Sequence, residues 1–204
     1  MPPGREIGPD KSLGISKNRG KDPNSQRVPS ENRGTWKRSA RNKSSRDMDL
    51  VQNWIDDLHA AEKTGDLPRF TIMSLGENHT SGTTPGAFTP NACVSSNDIG
   101  LANIVAAASL SKFWPEMAIF VIEDDTQNGP DHVDAHRTTG FVLSPYAKRG
   151  AVDSTLYTTA SMIRTMELIL GLPPLTQYDA AATPMFNCFQ REAVLTPYDV
   201  LPAQ

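Results

Sequence analysis

The chain predicts an α/β domain behind a disordered basic tail, and two observations carry that expectation. From Met48 onward, apolar residues recur alternately at helical and strand periods, giving strand, loop, helix and strand between residues 69 and 122. Charge divides the chain at the same place: residues 1–47 hold twelve Lys/Arg against five Asp/Glu, a net of +7, whereas residues 48–204 carry −10 of a total of −3. A length of 204 residues suffices for one domain whose core needs no disulfide. Cys93 and Cys188, the two cysteines, lack the Cys-x-x-Cys spacing of a zinc knuckle. No apolar run approaches the ~20 residues of a transmembrane helix. Met1-Pro-Pro-Gly-Arg-Glu6 is not the apolar centre of a secretory signal, so the start of the chain gives no expectation of export, and localisation stays open.

Within residues 1–47, Ile7, Leu13, Ile15, Val28 and Trp36 stand at no regular period among Arg, Lys, Ser, Asn, Gly and Pro. Such a segment buries too little apolar surface to offset its ordering entropy. A solvated tail is the expectation. Its alternative use is an electrostatic arm for nucleic acid or another acidic partner, with Arg33, Lys37, Arg38, Arg41, Lys43 and Arg46 meeting phosphates. Trp36 alone offers no stacking platform for single strands.

Each folded element has its own signal. Leu50, Val51, Trp54, Ile55, Leu58 and Ala61 mark one face of a helix that Gly65 closes. Arg69-Phe-Thr-Ile-Met-Ser-Leu75 predicts a buried strand, and the Gly- and Thr-rich stretch from Gly76 to Gly86 a loop at its carboxyl end. A second helix is expected from an Asn97 cap to Phe113, stopped by Pro115. Met117–Ile122 is uniformly apolar, as a strand covered on both faces should be. Those pieces form a βαβ unit with parallel strands and a right-handed crossover. Thr138–Ser144 predicts a third strand, and Ser161–Leu170 a helix closed by Gly171 and Pro173-Pro174.

In an open α/β sheet the ligand lies beyond the carboxyl ends of the strands. There Glu123-Asp124-Asp125 is followed by Asp131-His132-Val-Asp134-Ala-His136-Arg137, so four Asp, one Glu and two His fall within fifteen residues. Adjacent carboxylates repel unless a cation neutralises them, and a divalent metal is the economical explanation, with a solvated acidic loop as the plain alternative. His79 occupies the matching place after the first strand and could meet Asp124 and Asp125 across the top of the sheet. Thr80 and Ser81 are nucleophiles by type, without an adjacent base or a Gly-x-Ser-x-Gly elbow. His59 receives no role.

These elements resemble a known family. Glu123-Asp-Asp, five residues, then Asp131-His-Val is similar to the Trp-Asp-Glu, five-residue, Asp-His-Val element of the bacterial phosphoesterases that include phospholipases C and acid phosphatases, within the alkaline-phosphatase superfamily. Arg137 through Ser144-Pro-Tyr-Ala-Lys-Arg-Gly150 resembles the family's next segment, and Ser161-Met-Ile-Arg-Thr-Met-Glu167 its Ser-Ile-Leu-Arg-Thr-Ile-Glu helix. The resemblance covers about residues 47–185 and corresponds to the carboxyl-terminal part of a family domain, hence a partial alkaline-phosphatase-like sheet with flanking helices at 48–204. It implies Asp124, Asp125 and His136 as ligands of a divalent metal cation, His79 and His132 as catalytic histidines, and a phosphate ester as substrate. Relatives of this kind are often exported.

The family's early Glu-Asn element and its Ser or Thr nucleophile have no counterpart here. Glu31-Asn32 lies too near His79, with no apolar strand before it, to serve as the former. The expected function is therefore a metal-dependent hydrolase of phosphate ester bonds that is truncated and lacks its nucleophile. The rival is a non-catalytic cation-binding protein whose basic tail meets an acidic partner.

Overall fold

A computed structural model describes residues 46–124 and 137–202. Residues 1–45 of the tail expected over 1–47 lie outside them. The described part is a mixed α/β structure of helices around a small two-stranded sheet. No helix in it is long and apolar enough to cross a membrane.

Helix α1 spans Asp47–Thr64 and begins where the sequence changes texture. Asp47 and Asp49 in its first turn complement the positive end of the helix dipole, and the Asp49 carboxylate accepts the Arg46 N–H at 3.1 Å. Gly65 ends it with φ 80°, a left-handed conformation that costs glycine little, and donates its N–H to Ala61 O at 2.7 Å. Asp47 thus belongs to the folded part, one residue inside the boundary read from composition.

Helix α2 runs from Pro90 to Leu110, starting seven residues before the expected Asn97 cap. Thr89 is the cap, its hydroxyl accepting from Ala92 N at 3.3 Å, and Pro90 occupies the first helical position, where a missing N–H costs nothing. Helices α1 and α2 pack together through Val51, Leu58 and Ala61 on one side and Ile104, Val105 and Ala108 on the other. Gly100 permits the close approach, since a Cβ there would stand 3.4 Å from Val51 Cγ2 and 3.6 Å from Leu75 Cδ1. A short 3₁₀ turn, Trp114–Glu116, then buries the Trp114 ring edge-on against Tyr198, with centroids 6.1 Å apart.

The sheet departs from expectation. Strand β1, Ile119–Ile122, pairs antiparallel with β2, Gly140–Leu143, in the register Ile119 with Leu143 and Ile122 with Gly140. Residues 69–75 form no strand, so the parallel βαβ unit is absent from the described structure. Nor is β1 covered on both faces: it is half-buried, with Ile122 exposed, and Phe141 of β2 is exposed as well. Apolar run length reported strand propensity here and could not report burial.

Helix α3, Thr159–Leu170, agrees with the sequence, including its left-handed Gly171 cap at φ 68°. Its family-like residues are structural. Ser161 completes a capping box with Thr158, Thr165 receives the Met185 N–H at 2.8 Å, and buried Glu167 takes Arg164 at 3.3 Å and Leu175 N at 3.0 Å. The short α4, Gln177–Ala181, and a 3₁₀ turn at Phe186–Cys188 follow. The closing segment then straps Ser144–Gly150 in place through Lys148 N to Cys188 O, Gln190 N to Tyr146 O and Val194 N to Pro145 O, at 2.9, 2.7 and 2.8 Å. Arg149 stacks on the Tyr198 ring at 4.2 Å. Both cysteines are free.

Candidate functional site

The loop after residue 75 is held from below by α1. Both Asp47 carboxylate oxygens face it: Oδ1 accepts Gly76 N at 2.8 Å, while Oδ2 accepts Glu77 N at 3.1 Å and Asn97 Nδ2 of α2 at 2.8 Å. Asp47 is 2% exposed, so the loop's start is fixed by buried, charge-assisted hydrogen bonds. Glu77 continues the scaffold, accepting Arg46 Nε at 2.9 Å and Ser96 Oγ at 2.6 Å. Burial works against its ionisation, yet the hydrogen bonds from Ser96 and Arg46 prevail and hold its carboxyl below the usual glutamate range. Arg46, expected among the phosphate-binding residues of the tail, has its guanidinium on Glu77 and over the Phe88 ring at 4.9 Å.

One residue further, Asn78 Nδ2 donates to Glu123 Oε1 at 3.2 Å. Glu123 stands at the carboxyl end of β1, and its N–H reaches Thr139 O at 3.4 Å, extending the ladder toward β2. The structure therefore joins the loop that bears His79 to the start of the acidic run. His79 is exposed, its N–H on Gly76 O at 3.2 Å. Asp124 is exposed and follows Glu123 directly. Thr80 closes a tight turn, its hydroxyl accepting Gly82 N at 3.2 Å, and Ser81 O accepts the Thr84 hydroxyl at 2.8 Å. Asp125, His132 and His136 lie outside the described residues.

A divalent cation at this end would find carboxylate oxygens on Glu123 and Asp124, the donor type that hard cations take. Thr138 Oγ1, one residue before the Glu123 partner Thr139, is buried and without a hydrogen-bond partner, which suits a site that supplies one. Among the described residues, no three His, Cys, Asp or Glu side chains are grouped to hold a metal. The donors thus fit a cation in kind, and a full ligand set needs the residues that follow Asp124.

Asn78 and Asp47 are the positions that sequence reasoning did not place in the site. Asp47 carried a usable signal, an acid at the first turn of a strongly amphipathic helix, whereas the Asn78 contact is between residues 45 apart and left no local trace. His59, given no role from sequence, faces a shallow cleft of about 290 Å³ between α1 and α2 with Ile55, Glu62, Asn103 and Leu110, far along the chain from the acidic end.

Searches among protein-family models, curated proteins and solved structures give no match to this chain.

Proposed function

We propose that this chain carries the cation-binding part of a metal-dependent phosphoester hydrolase, with the divalent cation held beyond the carboxyl end of β1. The Asn78–Glu123 hydrogen bond carries the proposal, because it brings the loop of His79 to the acidic run that sequence reasoning singled out. In this scheme Asp124, Asp125 and His136 are the metal ligands, and His79 and His132 face the phosphate. A bound cation would polarise a phosphoryl oxygen and neutralise the adjacent carboxylates. The protein's own contribution is placement: Asp47 and Glu77 fix the loop so that His79 meets the substrate's charge at a set position. The likeness of residues 123–150 and 161–167 to the bacterial phosphoesterases and to their alkaline-phosphatase-like fold supports the same assignment.

Thermal unfolding with and without Mg²⁺, Mn²⁺ or Zn²⁺ tests it. A cation at one hundred times its dissociation constant stabilises by about 2.7 kcal/mol, a rise of several degrees for a domain of this size. Asp124→Asn with Asp125→Asn should abolish that rise. An equal response in the double variant refutes the site. Cation-dependent stability in a protein that binds no phosphate ester would favour a non-catalytic cation-binding role instead.

A further inference from the structure

We infer that residues 71–75 are an open strand that pairs antiparallel with the same residues of a second copy of this chain. Thr71-Ile-Met-Ser-Leu75 is rich in strand-forming side chains, yet among the described residues none of its backbone N–H or C=O groups takes a hydrogen bond. The segment already has a strand's two-sidedness. Met73 and Leu75 are half-buried, Leu75 lying against α2, while Ile72 and Ser74 are exposed, Ile72 by 67%. No Lys, Glu or Pro within it blocks an incoming strand, the usual protection of an open edge.

The flanking residues specify the partner. In an antiparallel pair centred on Met73, Met73 faces its own counterpart, Ile72 faces Ser74 and Thr71 faces Leu75. One step out, exposed Phe70 covers Gly76, where a glycine leaves room for an aromatic ring. At the ends, Arg69 meets Glu77 of the other copy on both sides of the two-fold axis, so the charges complement only in this register. Arg69 has guanidinium donors to spare, since its described contact is Leu170 O at 3.3 Å. Glu77 keeps acceptor capacity beyond Arg46 and Ser96. A single isologous contact pairs one edge of each copy about a two-fold axis and so closes after two copies. It uses none of the proposed metal ligands or catalytic histidines and shares with that site only Glu77, which also holds the His79 loop.

Sedimentation velocity of the full chain at micromolar concentration should show a dimer. Met73→Pro removes the N–H at the two-fold centre, and Ile72→Lys with Ser74→Lys sets like charges opposite one another at exposed positions. Both variants should sediment as monomers with an unchanged helical circular dichroism signal. Register is read by oxidation on a background with Cys93 and Cys188 replaced by alanine: a mixture of Ile72→Cys and Ser74→Cys chains should cross-link, and neither alone should. A monomeric parent overturns the inference, as does a dimer that survives both variants, an open series of larger oligomers, or cross-linking of Ile72→Cys alone. Capture of a different protein's strand by a parent that stays monomeric also overturns it.

Discussion

At the scale of single residues, two buried aspartates show how carboxylates can organise backbone without any catalytic duty. Asp47 gathers three donors from two distant parts of the chain, and its own helix N-terminus adds a favourable field. Asp47→Ala would strand the Gly76 and Glu77 N–H groups and the Asn97 amide at once. With charged hydrogen bonds contributing about 1.5–3 kcal/mol each, and the three not additive, the loss should be about 3–4 kcal/mol in a urea unfolding experiment. Cation-dependent stabilisation should weaken with it, because the loop bearing His79 is no longer held at Glu123. Asp179 offers a separate, pH-dependent check. Hydrogen bonds from the Thr176 hydroxyl, and from the N–H groups of Leu175 and Thr176 at 2.7 and 2.8 Å, lower its pKa to about 2. An unfolded aspartate titrates near about 3.9, so this stabilisation is complete above that value and is lost as pH falls from about 4 to 2. Asp179→Asn should therefore flatten the acid side of the melting-temperature profile in that window and leave its shape near neutrality unchanged. An identical acid limb in the variant would exclude the assignment.

At the scale of elements, the α1–α2 pair is the firmest part of the core, and Leu58 at its centre is 1% exposed. Leu58→Ala should cost about 2–5 kcal/mol by lost burial plus the cavity left behind, read as a lower urea midpoint at unchanged slope. Helices α1 and α3 were legible in the sequence because an amphipathic stripe and a following glycine are local signals, and both glycines are left-handed caps. The start of α2 is not legible because its apolar residues, Ala92, Cys93 and Val94, are consecutive and small, so Pro90 to Ser96 has no apolar stripe at helical spacing. Strand identity was legible and strand pairing was not. Residues 69–75 have the composition of a strand, but pairing depends on partners remote in sequence, and here β1 takes β2 instead. The same limit applies to the candidate site. Glu123-Asp124 stands out as charge directly after an apolar run, while the Asn78 contact that joins it to the His79 loop exists only in three dimensions.

At the scale of the whole molecule, the question is whether a cation-binding end alone can turn over substrate. Phosphoester hydrolysis by the mechanism of the resembled family needs a hydroxyl placed in line with the leaving group, and a positioned nucleophile accounts for rate factors on the order of a million in hydrolases. Thr80 and Ser81 are the hydroxyls nearest His79 in sequence. Neither has a described histidine or carboxylate as a hydrogen-bond partner that could take its proton: Thr80 Oγ1 accepts from Gly82 N at 3.2 Å, and Ser81 lies exposed in the turn. Ile122 and Phe141 of the small sheet are themselves exposed, so the described carboxyl end of β1 is not an enclosed, water-excluding site. The purified chain should accordingly hydrolyse p-nitrophenyl phosphate and a phosphodiester analogue at close to the background rate with Mg²⁺, Mn²⁺ or Zn²⁺ present, even where those cations raise its melting temperature. Turnover well above background that vanishes in Asp124→Asn would reverse this expectation. Thr80→Ala and Ser81→Ala, compared by burst kinetics, would then decide which hydroxyl attacks phosphorus.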